Sequence, residues 1–274
     1  MVSILEGLRK DNKLRLIFIL FLILVIWWVG IRLFLSETDP QNNIFSATYG
    51  VIALLGAISG FMVAQRWGGW ASLMGRSIMT FSLGLFLQEF GQLTYSYYHH
   101  FLHIDIPYPS IGDIGYFGAI PAYIYATYLL AKVSGVSLGL KNYMRKFQAL
   151  AIPFVVIMIG YWLFLHDYDF YNTNWLVIFL DFGYPLGEAV YISMAILAYL
   201  LSRGILGGMM KSKILFILFA LCVQFLADYT FLYQAKLGSV YPGGPNDFIY
   251  LLAYFLMAYG ILQLNTVVNH LKQN

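Results

Sequence analysis

Apolar runs of bilayer-crossing length follow one another along the chain, separated by short segments rich in glycine, proline and charge. A helix needs about 20 predominantly apolar residues to cross the hydrocarbon core. On that criterion the pattern predicts spans near 14–35, 47–66, 76–98, 113–132, 147–165, 175–201, 213–235 and 247–268. The positive charges ahead of the first run suggest a signal peptide, but the run is about span length and no small-residue cleavage site follows it. It reads as the first transmembrane helix. The connections are short and leave over no linker or soluble domain. The expected fold class is all-α, a polytopic membrane helical bundle of eight transmembrane helices, with residues 1–274 as a single integral membrane domain.

Composition points the same way. The 274 residues are 60% hydrophobic and 11% charged, with a mean hydropathy of +0.72. A soluble domain would carry about 25% charged residues. The lone cysteine, Cys222, lies in an apolar run and reads as a small core filler, so no disulfide framework is available within one chain.

Charge then orients the spans. With the N-terminus inside, the cytoplasmic segments hold Arg9, Lys10, Lys13, Arg15, Arg66, Arg76, Lys132, Lys141, Arg145, Lys146, Arg203, Lys211, Lys213 and Lys272, leaving only Arg32 and Lys236 toward outer helix ends. Cytoplasmic loops are enriched in Lys and Arg, so both termini are expected in the cytoplasm and the protein in the cytoplasmic (inner) membrane. The lipid bilayer is the first partner. Nucleic acid is not expected, because insertion already accounts for the basic residues. Among the acids only Glu6 and Asp11 fall clearly inside. Glu37, Asp39, Asp105, Asp167 and Asp169 are ordinary loop charges; the rest need another account.

Three segments carry an acid followed three residues later by tyrosine: Asp113–Tyr116, Asp181–Tyr184 and Asp247–Tyr250. The first and last follow a Tyr-Pro pair, at Tyr108-Pro109 and Tyr241-Pro242. Proline and glycine turn the chain, and the acid then suits the first turn of the outgoing helix, where it can cap free N–H groups. Spans 3–4 and 7–8 therefore read as repeated parallel helical hairpins, with spans 5–6 a weaker third copy. The spacing of three places acid and tyrosine on one helical face. Capping with interfacial tyrosines accounts for Asp113 and Asp247 as well as a ligand does.

Capping does not account for Glu89, Glu188 or Asp228, which lie well into their spans. An acid there costs about 2.5 kcal/mol or more on insertion scales. It needs a proton, hydrogen bonds, water or a bound cation, and Gln88, Gln92, Gln224 and Tyr95 are near enough in sequence to serve as partners. A buried structural network is the plainer reading; intramembrane acids more often mark sites. The candidate ligand-binding residues are thus Glu89, Gln92, Asp113, Tyr116, Asp181, Tyr184, Glu188, Asp228, Asp247 and Tyr250.

His99, His100 and His103 cluster at the outer end of span 3, with Asp105 nearby. They are candidate ligands for a transition metal, although their spacing matches no strong motif and polar residues in an aromatic belt is the favoured reading. Trp27, Trp28, Trp162 and Trp175 are placed as outer interfacial anchors. No cofactor is identifiable.

The stretch Gln88-Glu-Phe-Gly-Gln through Tyr125, with Pro109, Ser110, Asp113 and Tyr116, resembles the multi-helix membrane sensory (input) region found ahead of GGDEF-type diguanylate cyclases and histidine kinases. Tyr184, Pro185 and Glu188, the pair Ala227-Asp228, and the turn from Gly243 to Asp247 continue the resemblance in the same order, over roughly residues 77–268. The resemblance implies a sensor that takes a signal from the outer side. This chain runs about six residues past its last span with no kinase or cyclase domain, so the expectation is signalling through a separate cytoplasmic protein.

The leading expectation is a membrane-embedded sensory or ligand-binding module with an acid-lined pocket open toward the outer face, taking a small molecule or cation. A proton- or cation-coupled transporter or channel is the alternative. An intramembrane metal-dependent hydrolase fits less well, since the last span holds no histidine (His270 lies beyond it), and no Gly-x-Ser-x-Gly or His-Glu-x-x-His motif is present.

Overall fold

The computed structural model describes residues 11–104, 106–135, 143–171, 174–202 and 208–273. Of the charges that orient the chain, Glu6, Arg9, Lys10, Lys141 and Arg203 lie outside these residues. The described residues are helical, with no strand among them. The helices are α1 (Asn12–Phe34), α2 (Pro40–Thr48), α3 (Val51–Arg66), α4 (Leu73–Ser96), α5 (Gly112–Val133), α6 (Tyr143–Gly160), α7 (Trp175–Ser202), α8 (Gly208–Lys236) and α9 (Pro245–Gln273). Short π-helical turns, Tyr97–Leu102 and Tyr161–Leu165, extend α4 and α6.

Local chemistry sets several starts. Asp11 Oδ1 accepts from Lys13 N at 2.9 Å, and Asp39 Oδ1 from Gln41 N at 2.9 Å beside Pro40. Asn174 Oδ1 accepts from Leu176 N at 2.9 Å. These are N-caps that satisfy amides left free by the first turn. Between α3 and α4 the chain reverses through Gly68, at φ 90°, a left-handed conformation that glycine adopts without a Cβ clash.

Among the described residues seven helical segments are long and apolar enough to cross a membrane, α2 and α3 counting together as one. That is the architecture of a multi-pass helical membrane bundle, but the number is seven where the hydropathy pattern predicts eight. The difference is α4, over the third predicted span. Its 24 residues suffice in length. However, Ser77, Thr80, Ser82, Gln88, Glu89 and Gln92 lower its hydropathy, and all six are buried. These face other helices, which rather than lipid solvate polar groups, while Leu83, Phe86, Phe90 and Leu93 form an exposed apolar stripe on the opposite side.

The packing follows a ring. α3, α4, α5, α7, α8 and α9 each contact the next, and α9 closes back on α3; α1 lies outside against α9 and α3, and α6 outside against α7. The two outer helices show long apolar exposed faces: Leu16, Ile19, Ile23, Ile26 and Leu33 on α1, and Phe147, Leu150, Phe154, Met158 and Ile159 on α6. Faces of this kind belong in lipid. α4 and α5 approach most closely at Gly91 and Gly115. A Cβ on Gly115 would lie 2.7 Å from the Gly91 nitrogen, a contact only small residues permit.

The two ends of the bundle are distinct. At one end Asp11 accepts from Asn265 at 2.8 Å, Arg66 donates to Asn265, and Trp67 Nε1 donates to the Leu264 carbonyl at 3.3 Å. At the other end Arg32 lies 3.6 Å from Glu37, and Lys236 Nζ donates to the Leu163 carbonyl at 2.8 Å. Trp28 lies here too, but not as the lipid anchor its position suggests. Its ring stacks on Phe248 at 4.5 Å and its N–H reaches the Gly243 carbonyl at 3.0 Å, tying α1 to the turn before α9. Trp162 and Trp175 are exposed, as anchors are. Cys222 is half-buried against the core.

Candidate functional site

The ring encloses a cavity of about 650 Å³. It begins under the loops at the Arg32–Lys236 end, among Pro107, Tyr108, Tyr168 and Tyr241, and runs inward to Glu188, Tyr191, Asp228, Tyr123 and Tyr254. Beyond that floor the bundle is closely packed. Ile78, Phe81 and Leu85 of α4, Ala126 and Leu130 of α5, Ala195 of α7, Ile214, Ile217, Leu218 and Leu221 of α8, and Ala258, Ile261 and Leu262 of α9 are all essentially inaccessible. The cavity therefore opens toward one end only.

Asp113 and Asp247 take matching positions. Each sits in the first turn of its helix and reaches back to the connector: Asp113 Oδ2 accepts from Ser110 N at 2.7 Å, and Asp247 Oδ2 from Gly243 N at 2.7 Å. These are the caps that the sequence suggests, and both residues also line the cavity. The connectors of the α4–α5 and α8–α9 hairpins lie at the same end of the bundle.

Asp181 has a different job. It lies in the second turn of α7 and accepts two hydroxyls at 2.7 Å each, from Tyr108 before α5 and Tyr168 before α7. Partial burial, then the bond to Asp181, pushes the Tyr168 hydroxyl up to about 12, and the same causes raise Tyr108. Tyr184, one turn further, donates across the cavity to Asp113 Oδ1 at 2.7 Å. Tyrosines three residues after an acid share its face, as the spacing requires, but their bonds run to other helices. Tyr116 donates to Gln92 Oε1 at 3.1 Å, which also receives Tyr49 at 3.2 Å.

At the floor Asp228 accepts from Gln224 Nε2 and from the Tyr191 hydroxyl, both at 2.9 Å, and Tyr250 faces it. Glu188, 3% exposed, lies beside Asp228 with its Oε2 lacking any hydrogen-bond partner. The Tyr123 hydroxyl, on a residue 1% exposed, also lacks one. A proline, Pro185, interrupts the α7 backbone ladder between Asp181 and Glu188, and its own carbonyl accepts from Tyr229 at 3.0 Å.

Of the ten candidate residues the structure brings nine to the cavity wall: Gln92, Asp113, Tyr116, Asp181, Tyr184, Glu188, Asp228, Asp247 and Tyr250. Glu89 is buried elsewhere, its Oε2 pressed against Gly50 of the α2–α3 junction and without a partner. Gln88 and Gln92 do not serve the acids; they pair with Tyr254 and with Tyr49 and Tyr116. Gln224 does serve one. The sequence does not single out Tyr108, Tyr123, Tyr168, Tyr191 and Tyr254 as site residues. Two of them carry a signal: Glu188 and Tyr191 repeat the acid-plus-three spacing, and Tyr123 lies two turns below Tyr116 on the same face.

Among the described residues the three histidines do not converge on one point. His99 and His100 meet edge to face at 5.0 Å, and His100 Nε2 lies 3.2 Å from the Asn43 carbonyl. His103 ends the π-helical turn in a left-handed conformation. Asp105 lies outside the described residues, and among those described no three His, Cys, Asp or Glu side chains come together to hold a metal ion. No protein-family model, curated protein or solved structure matches the chain.

Proposed function

We propose that this is a membrane-embedded sensory or ligand-binding module whose ligand enters the acid-lined cavity from the outer face. In this reading α4 crosses the membrane with the other seven segments, giving eight spans, both termini in the cytoplasm and the Arg32–Lys236 end outside. The excess of Lys and Arg toward the opposite end supports that orientation.

One observation carries the reading: a one-sided cavity reaches the middle of the bundle and ends on Glu188 and Tyr123, buried polar groups with no protein partner. An unmet buried polar group costs about 1–3 kcal/mol, and these two face an open volume that a ligand can enter rather than packed protein. The resemblance of residues 77–268 to membrane input regions supports a sensory role, relayed to a separate cytoplasmic protein.

Native mass spectrometry of the detergent-purified protein tests this, comparing wild type with Asp228→Asn/Glu188→Gln. A co-purifying molecule is expected in the wild type and absent from the variant. An empty cavity in both, with a variant at least as stable as the wild type, would leave only a packing network. Flux of a co-purified solute in proteoliposomes would convert the reading to a cation-coupled transporter.

A further inference from the structure

We infer that the ligand is a linear organic dication, an amine chain charged at both ends, held lengthwise with one ammonium group at the floor and the other beneath the outer loops. The inference rests on the ligand-binding reading above and names its ligand class.

Charge sets the sign of the ligand. Among the described residues the cavity wall carries seven carboxyl groups and one cationic side chain, Lys236, which is committed to the Leu163 carbonyl. An anion would meet carboxyls at every depth. A neutral molecule would leave Glu188 and Asp228 side by side at the floor to hold a proton between them, whereas a cation meets both as carboxylates.

The carboxyls fall at two levels. Asp113 and Asp181 lie under the loops; Glu188 and Asp228 form the floor. Asp181 and Glu188 are on one helix, seven residues apart, so the levels are separated by about 10 Å. A point charge fills one level and abandons the other. A chain with an ammonium group at each end meets both, and its methylenes lie along the wall between them.

The walls suit that chain. Eleven tyrosines line the cavity, and Tyr123, Tyr191, Tyr250 and Tyr254 surround the floor. Aromatic faces attract cations and also cover methylene groups. The free hydroxyl of Tyr123 and the free Oε2 of Glu188 can both accept from an ammonium N–H. A bare metal ion is a poorer match, because no metal-holding trio is present among the described residues and the volume far exceeds what an ion fills.

Isothermal titration of the full chain in detergent decides the matter, with four probes: octamethylenediamine, putrescine, octamethylenediamine acetylated at one nitrogen, and magnesium. Octamethylenediamine is expected to bind. Putrescine, too short for both levels, and the acetylated amine, lacking one charge, are each expected to bind at least about tenfold more weakly. Glu188→Gln is expected to weaken octamethylenediamine by about thirtyfold or more. Tyr123→Phe, which leaves the charges intact, is expected to weaken it less, and circular dichroism checks both folds. Equal affinity for the acetylated amine would overturn the two-ended pose. Tighter binding of magnesium would overturn the organic cation. If no probe binds while the native protein still carries a co-purified molecule lost in Asp228→Asn/Glu188→Gln, the amine class falls and the ligand-binding reading stands. If nothing binds and nothing co-purifies, both fall.

Discussion

Asp181→Ala is expected to loosen the mouth of the cavity and leave the bundle intact. The side chain holds two loops at once, through hydroxyls of Tyr108 and Tyr168 at 2.7 Å each. Hydrogen bonds to a carboxylate contribute about 1.5–3 kcal/mol when shielded, but Tyr108 is half exposed, which moves the pair to the lower part of that range. Losing both should cost about 2 kcal/mol, or about thirtyfold in the local opening of these loops. The Tyr168 ring stays against Phe170 and Phe182, at 4.9 and 5.1 Å, so the loop loosens without detaching. Hydrogen exchange read by mass spectrometry over 106–111 and 166–171 measures this. Tyr108→Phe should speed exchange in the first segment alone and Tyr168→Phe in the second, and neither should add anything in the Asp181→Ala background. Unchanged exchange in both loops, or a change spread over α3 and α9, would refute the reasoning.

Gly91→Ala should destabilise by about 1–3 kcal/mol in denaturant unfolding, because the added Cβ lies 2.7 Å from the Tyr116 ring and the ring cannot retreat without losing its bond to Gln92. Gly30→Ala, in α1 with open space around it, should be neutral or stabilise by up to about 1 kcal/mol through helix propensity. The Tyr168 hydroxyl, raised to about 12, contributes stability that is complete below pH about 10 and lost as pH climbs through about 12; ultraviolet titration should show a late tyrosine component that Asp181→Ala moves earlier and Tyr168→Phe removes.

The helices were legible because lipid imposes one rule on every span: enough consecutive apolar residues to cross it. That rule weakens where one face of a span turns inward. α4 packs between α3 and α5 and carries polar residues of the inner wall on that face, so hydropathy averaged over the whole helix undervalues it. It fails in the opposite sense at Trp28, where a tryptophan at the right depth for an anchor instead fastens α1 to the α8–α9 connector. The site was legible as a set of acids on helix faces, since spacing fixes which face a residue shares. Spacing does not fix which helix lies opposite. The pairing of Tyr184 with Asp113, seventy-one residues apart, depends on α5 packing against α7, and no local pattern encodes that.

The acids that sequence treats alike separate once their partners are counted. Asp113 and Asp247 each accept from the backbone of the connector before their helix, and Asp113 also accepts from Tyr184. Asp181 accepts two tyrosines and closes a mouth. Asp228 accepts one bond on each oxygen, from Gln224 and Tyr191, and keeps capacity for more. Glu89 and Glu188 each keep an oxygen unmet, and depth, burial and charge do not tell them apart. What does is the space in front of them. Glu89 faces a glycine against which nothing further fits, so its unmet oxygen belongs to close helix packing. Glu188 faces an open volume reached from outside, beside a second carboxyl and a second unmet hydroxyl. An unsatisfied acid in a packed wall is a cost the fold bears; one at the end of an open cavity is an invitation to a cation, and this is why the functional argument rests on Glu188.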